Sequence, residues 1–143
     1  MNDASTSAAN DTLVLYGETF QSRLLLGTAR YPSPSVMEAA LRRAKPAMVT
    51  ASLRRQGVVT ADTSNAFWEL LKKLGIQVLP NTAGCYSMQE VITTAQMARE
   101  VFSTDWIKLE LIGDDYTLQP DTLNLVEVAS HLGDNVVRTI AMS

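Results

Sequence analysis

Residues 105–114 read DWIKLELIGD. Alternate residues of a strand face opposite ways. Ile107, Leu109 and Leu111 therefore form an apolar face fit to lie beneath helices, while Trp106, Lys108 and Glu110 share the other face. Helical signals bracket the segment on both sides. Upstream, Ser87 and Glu90 form the S-x-x-E signature of a capping box, and Met88, Val91, Ile92, Ala95, Ala98 and Phe102 recur at helical spacing. Downstream, Leu125, Val128, Ala129 and Leu132 mark a further helix, ended by Gly133. A strand held between two amphipathic helices is the repeat of a parallel α/β sheet, because parallel strands need crossover connections.

The same alternation runs outward along the chain. Ile76–Leu79 reads as a strand stopped by Pro80, and Asn65–Leu74 as a helix ended by Gly75. Ala47–Leu53 reads as a buried strand. Ser33 can cap a helix that begins at Pro34, carries Val36, Met37, Ala40, Leu41 and Ala44 on one face, and stops at Pro46. Near the amino end, TLVLY (12–16) and SRLLL (22–26) flank Gly17-Glu18 and read as a hairpin, with Gly27-Thr28 ending its second run. Val136–Ile140 supplies one more strand. Strand starts near 23, 47, 76, 106 and 136 are separated by 24, 29, 30 and 30 residues. That pace fits either an open doubly wound sheet or a (β/α)₈ barrel, and a barrel of this pace needs roughly 200–250 residues. The chain, at 143 residues, supplies four units and a fifth strand. Residues 1–11, MNDASTSAAND, lack the basic and apolar regions of a secretory signal and are expected to form a disordered tail, with residues 12–143 as the folded domain.

Composition narrows the function. Apolar residues make up 46% of the chain and charged residues 19%, as in soluble globular proteins. No apolar run approaches the roughly 18–20 residues of a membrane span. The net charge is −3 and the pI is near 5.1, which argues against a nucleic-acid partner, since phosphate neutralisation needs a basic surface. Cys85 is the one cysteine and His131 the one histidine, so an intramolecular disulfide, a multi-thiolate site and the common zinc sites are excluded. A soluble, cytoplasmic domain is expected.

Chemistry concentrates on the Lys108 strand. Both faces of a central parallel strand are normally buried, so a lysine in its middle is unusual. Burial disfavours the ammonium form of a lysine, and a neutral amine can attack a carbonyl to form a Schiff base. Glu110 lies two residues along the same face, about 6.6–6.8 Å by strand rise, where it can move protons on an imine and its neighbouring carbons. The same spacing also fits a Lys–Glu pair that only satisfies itself, or an exposed edge strand. Asn81–Gly84 (NTAG) and Gly27–Tyr31 (GTARY) follow strands, where active-site loops of parallel α/β folds lie. Gly84 permits close backbone approach to a ligand, and Arg30 or Arg54-Arg55 could hold an anion; taken alone, an ordinary βα turn and surface charges are the simpler reading of these segments. Cys85, with no histidine beside it, reads as structural, His131 as a helix-end charge, and Phe67 and Trp68 as core. Asp114-Asp115 is weak support for a metal without further oxygen ligands. Phosphate-loop, dinucleotide and nucleophile-elbow signatures are absent from the sequence.

Three of these stretches, FQSRLLLGTARYPS (20–33), VLPNTAGC (78–85) and TDWIKLELIGD (104–114), together resemble the bacterial and plastid thiazole synthases of thiamine biosynthesis. LQPDTLNLVEVA (118–129) matches more loosely, and the resemblance runs from about residue 13 to about residue 132. It implies a partial (β/α)₈ TIM barrel of about the first four to five βα units, with a short strand pair closing its amino end. It further implies that Lys108 forms an imine with the ketone of 1-deoxy-D-xylulose 5-phosphate and that Glu110 is the acid–base carboxylate beside it. A small sulfur-carrier protein bearing a thiocarboxylate would supply sulfur, and dehydroglycine the remaining C–N unit. No metal or organic cofactor is implied. QGVVTADTS (56–64) and the residues after Gly133 depart from the family pattern. The family's second half, which carries a further catalytic acid and the phosphate-binding loops, has no counterpart here. The expectation is therefore a synthase impaired by truncation. The alternatives are a non-catalytic homologue that binds the sulfur carrier or full-length subunits, and a different Schiff-base enzyme on a small open sheet. An unpaired outer strand invites association, so a homo-oligomer is expected.

Overall fold

The computed structural model describes residues 11–53, 61–134 and 138–141. A two-stranded antiparallel ribbon, β1 (Leu13–Leu15) and β2 (Glu18–Phe20), precedes a five-stranded parallel sheet. The sheet is formed by β3 (Leu25–Gly27), β4 (Met48–Ser52), β5 (Gln77–Asn81), β6 (Trp106–Leu109) and β7 (Arg138–Ala141). Between them run α1 (Pro34–Ala44), α2 (Ala61–Leu74), α3 (Met88–Phe102) and α4 (Thr122–Asp134). The strand order is sequential, β3-β4-β5-β6-β7. A doubly wound sheet reverses its order partway, whereas right-handed crossovers taken in sequence leave every helix on one face. The fold is thus α/β with a singly wound parallel sheet, consistent with part of a barrel.

The two faces of the sheet are covered differently. On the helical face, Val49 packs with Met37 and Leu41 of α1 and Leu71 of α2. Ile107, Leu109 and Leu111 pack with Val91, Ala95 and Ala98 of α3 and Leu125, Val128 and Leu132 of α4. On the opposite face Met48, Leu79 and Trp106 meet Phe20, with Leu13, Leu15, Leu25 and Ile140 around them. The ribbon closes the amino ends of the strands here. Trp106 stands edge-on to Tyr16 (5.6 Å between ring centroids) and Phe20 (5.9 Å), and the Arg138 guanidinium lies 5.1 Å from its ring centre. Arg138 also pairs with Glu18 at 2.5 Å, and Thr139 accepts a hydrogen bond from the Tyr16 hydroxyl at its carbonyl, 2.8 Å.

The ribbon differs from the hairpin expected from sequence. Its second strand is Glu18–Phe20, and the SRLLL run instead supplies β3, the first strand of the parallel sheet. The reason is turn geometry: Tyr16 (φ 49°) and Gly17 (φ 77°) form a two-residue loop with both φ positive, which pairs Leu15 directly with Glu18. Pro80 does not end β5, which continues to Asn81. Proline lacks the N–H that would extend the ladder toward β6, and β5 and β6 share one registered pair, Asn81↔Lys108. Below it, Gln77 Nε2 donates to Thr104 Oγ1 (3.0 Å) across the seam. α2 begins at Ala61, earlier than the apolar stripe of residues 65–74 indicates, because the residues ahead of that stripe carry no apolar periodicity. β6 ends at Leu109, leaving Glu110 just past the strand, and α4 runs through Gly133 to Asp134. Residues 1–10 of the expected tail, Arg54-Arg55 and Val136-Val137 lie outside the described residues.

The helix starts follow their caps. Ser33 Oγ accepts the Val36 N–H (3.2 Å) ahead of Pro34, and Lys45 closes α1 in the left-handed region. The capping box of α3 is complete, with Ser87 Oγ accepting the Glu90 N–H at 3.3 Å and Glu90 Oε2 accepting the Ser87 N–H at 3.2 Å. Ser87→Ala is expected to lower stability by about 1 kcal/mol. Urea unfolding checks this, and an unchanged midpoint would mean the box contributes nothing.

Candidate active site

The carboxyl ends of the strands carry polar residues where the amino ends carry the apolar layer. Alternation along each strand accounts for this. In β4, Met48 is buried beneath the ribbon while Thr50 and Ser52 rise above it on the same face; in β5, Leu79 lies below and Asn81 above; in β6, Trp106 lies below and Lys108 above. Ser52, Asn81 and Lys108 form a row across the sheet through the registered pairs Ser52↔Asn81 and Asn81↔Lys108. Together with Gly27, Thr28, Arg30, Ala83 and Glu110, these side chains line an open cleft of about 730 Å³.

At its floor Lys108 Nζ contacts Glu110 Oε1 at 2.7 Å. The lysine side chain is 17% exposed and the carboxylate side chain 31%, so small molecules can reach the pair although it is largely enclosed. Glu110 keeps the face of Lys108 although it lies past the strand, because its backbone is tied to Thr82, the residue after β5. The Thr82 N–H donates to the Lys108 carbonyl (3.1 Å), and the Thr82 hydroxyl bonds both the N–H (2.8 Å) and the carbonyl (2.7 Å) of Glu110. Opposite, the Thr28 hydroxyl donates to the Thr50 carbonyl (2.7 Å), tying the end of β3 to β4. Asn81 Oδ1 accepts the Ala83 N–H (3.2 Å), which leaves its amide N–H₂ as the donor end.

The structure brings Lys108, Glu110, Asn81 and Arg30 into one cleft. Arg30 is exposed and holds a left-handed backbone (φ 66°), uncommon for a residue with a side chain. Gly84 (φ 80°) forms the turn of the NTAG loop and does not line the cleft. Cys85 is fully buried in the helical-face core, 3.6 Å from Thr94 Oγ1. Phe67 and Trp68 are half-buried against the α1–α2 cluster, and the Trp68 ring lies tilted against Phe102, 4.4 Å between centroids. His131 is exposed in the last turn of α4. The Asp114 carboxyl lies below its ordinary range because it accepts the Thr117 N–H and hydroxyl, and also the Tyr116 N–H. Among the described residues no group of three or more His, Cys, Asp or Glu side chains could hold a metal ion. No described helix is long and apolar enough to cross a membrane. Sequence reasoning did not single out Thr28, Thr50, Ser52 or Thr82. The signal for two of them was present in β4, where Thr50 and Ser52 alternate with Val49 and Ala51.

A lysine amine and a carboxylate thus meet in the cleft at the carboxyl-end rim of the parallel sheet. The family model described as "Thiazole biosynthesis protein ThiG" matches residues 14–141, and the chain belongs to this family. It is 75% identical to a thiazole synthase of Paracidovorax citrulli over 126 residues, which cover 88% of this chain and 47% of that protein. It is 71% identical to a thiazole synthase of Variovorax paradoxus over 134 residues, covering 92% of this chain and 49% of that protein. The chain therefore spans about half the length of the curated relatives it matches. Among solved structures, the Amycolatopsis orientalis BexX/CysO complex superposes with a TM-score of 0.70 at 20% identity, covering 90% of this chain and 52% of the other. At that identity the likeness speaks for the fold alone.

Proposed function

We propose that this chain carries the imine-forming site of a thiazole synthase, with Lys108 as the amine and Glu110 as the carboxylate that moves its protons. The observation that carries the reading is the 2.7 Å contact between Lys108 Nζ and Glu110 Oε1 in the carboxyl-end cleft. The substrate is the ketone of 1-deoxy-D-xylulose 5-phosphate. Glu110 takes a proton from Nζ, and the freed amine attacks the ketone carbon, forming a C–N bond while a second Nζ proton passes to the former carbonyl oxygen, which becomes a hydroxyl. Glu110 then returns a proton to that hydroxyl, which leaves as water while the C=N bond forms. Such proton transfers contribute about 10²–10⁴-fold. Sulfur comes from the thiocarboxylate of a small sulfur-carrier protein, and dehydroglycine completes the ring. A protein partner is in keeping with the structural neighbour, a BexX/CysO complex.

In this reading the sheet is the amino-terminal half of a (β/α)₈ barrel, and residues 12–143 act as one domain in the cytoplasm. Barrels place phosphate-binding loops after strands 7 and 8, in the part of the relatives that this chain does not match. The 143 residues alone are thus expected to form the imine and stop before thiazole phosphate; complete turnover of the three substrates would overturn this. A homo-oligomer fits the two outer strands, β3 and β7. The reading is tested with ketone labelled with ¹⁸O, since reversible imine formation exchanges the ketone oxygen with water. Catalysed loss of the label is expected, slowed about 10²-fold in Glu110→Gln. Absence of exchange with the parent chain would contradict it.

A further inference from the structure

We propose that Thr82 is a positioning residue for Glu110, its buried hydroxyl holding the Glu110 backbone so that the carboxylate meets the Lys108 amine. The proposal rests on the reading of Lys108 and Glu110 as a working pair. Its origin is the β5–β6 seam. Pro80 offers no N–H toward β6, the two strands share only the pair Asn81↔Lys108, and β6 ends at Leu109. Glu110 would therefore leave the sheet with both backbone groups unsupported on the β5 side. The Thr82 side chain takes the place of the missing strand: one hydroxyl accepts the Glu110 N–H at 2.8 Å and donates to the Glu110 carbonyl at 2.7 Å.

The residue itself is 0% exposed, and the Thr82 N–H is anchored on the Lys108 carbonyl, so its hydroxyl has little freedom to move away. The two bonds restrain the backbone torsions of Glu110 and so fix the point and direction from which its side chain reaches Nζ. Serine can make both bonds. Valine and alanine can make neither, and valine preserves the shape. A misplacement of about 1 Å at reacting groups can cost on the order of 10²-fold in rate, so a residue that touches no substrate can still govern this site.

The test measures access to the Lys108 amine. The parent chain, Thr82→Ser, Thr82→Val, Thr82→Ala and Glu110→Gln are acetylated with acetic anhydride at one fixed pH, and the rate of labelling of the Lys108 peptide is followed by mass spectrometry. Glu110→Gln is expected to raise that rate several-fold, because it removes the carboxylate in contact with Nζ. Thr82→Val and Thr82→Ala should raise it in the same way, Thr82→Ser should not, and Thr82→Val should add nothing in the Glu110→Gln background. A rate unchanged in the hydroxyl-free variants, or changed equally without Glu110, would overturn the proposal. A second readout needs no variant: slow amide exchange at Glu110 in the parent chain supports the clamp, and exchange at the rate of an open loop overturns it. Both readouts are independent of the ketone. Loss of ketone-oxygen exchange alone would remove the imine reading and leave the Thr82 clamp intact.

Discussion

Lys108→Ala and Lys108→Arg are both expected to abolish borohydride-trappable adducts with a ketone phosphate, a fall of about 10³-fold or more. The arginine variant is the more informative of the two. It keeps a positive charge able to pair with Glu110, but its guanidinium stays protonated and cannot act as the attacking amine. If Lys108 only satisfied Glu110, arginine would serve as well as lysine and any adduct would form elsewhere. Circular dichroism should show both variants folded, because the Lys108 side chain lies in the open cleft and not in the apolar layers. Trapping at the parental level in Lys108→Arg would remove the lysine from the chemistry.

The second large effect concerns the opposite end of the same strand. Trp106→Ala is expected to destabilise the chain by about 3–5 kcal/mol, the range for deleting a large buried aromatic. Trp106 is 2% exposed and is enclosed by Tyr16, Phe20, Met48, Leu79 and Arg138. Its indole thus joins the ribbon to the sheet, and its loss removes edge-to-face contacts worth about 0.5–1.5 kcal/mol each beyond burial. Folded domains hold only about 5–15 kcal/mol, so the urea midpoint should fall steeply. A loss below about 1 kcal/mol would show that the ribbon is not packed on the sheet as described. The two predictions concern one face of one strand, with the side chain that joins the ribbon to the sheet two residues from the side chain assigned to chemistry.

Much of this arrangement was legible because alternation is a strict rule within a strand. WIKLEL separates Ile107, Leu109 and Leu111 from Trp106, Lys108 and Glu110, and the structure places the first set beneath α3 and α4 and the second on the opposite face. The S-x-x-E signature gave the start of α3 for a similarly local reason. The pace of about 30 residues indicated parallel βα units but not their spatial order, which depends on which strands pair. The features that escaped are those decided by neighbours distant in sequence or by backbone geometry. The two-residue turn at Tyr16-Gly17 sets the ribbon register, a property that apolar runs do not record. Pro80 is tolerated near the end of β5 because of where its missing N–H points, which depends on β6. Thr82 looked like an ordinary member of a turn, since the 28-residue separation from Glu110 hides their contact from any local pattern.

The most direct measurement treats the full 143-residue chain with 1-deoxy-D-xylulose 5-phosphate and borohydride, then maps the product by peptide mass spectrometry. Borohydride reduces the C=N bond to a stable secondary amine. One sugar-phosphate adduct per chain, located on Lys108, is the predicted result. An adduct on another lysine, or none at all, would contradict it.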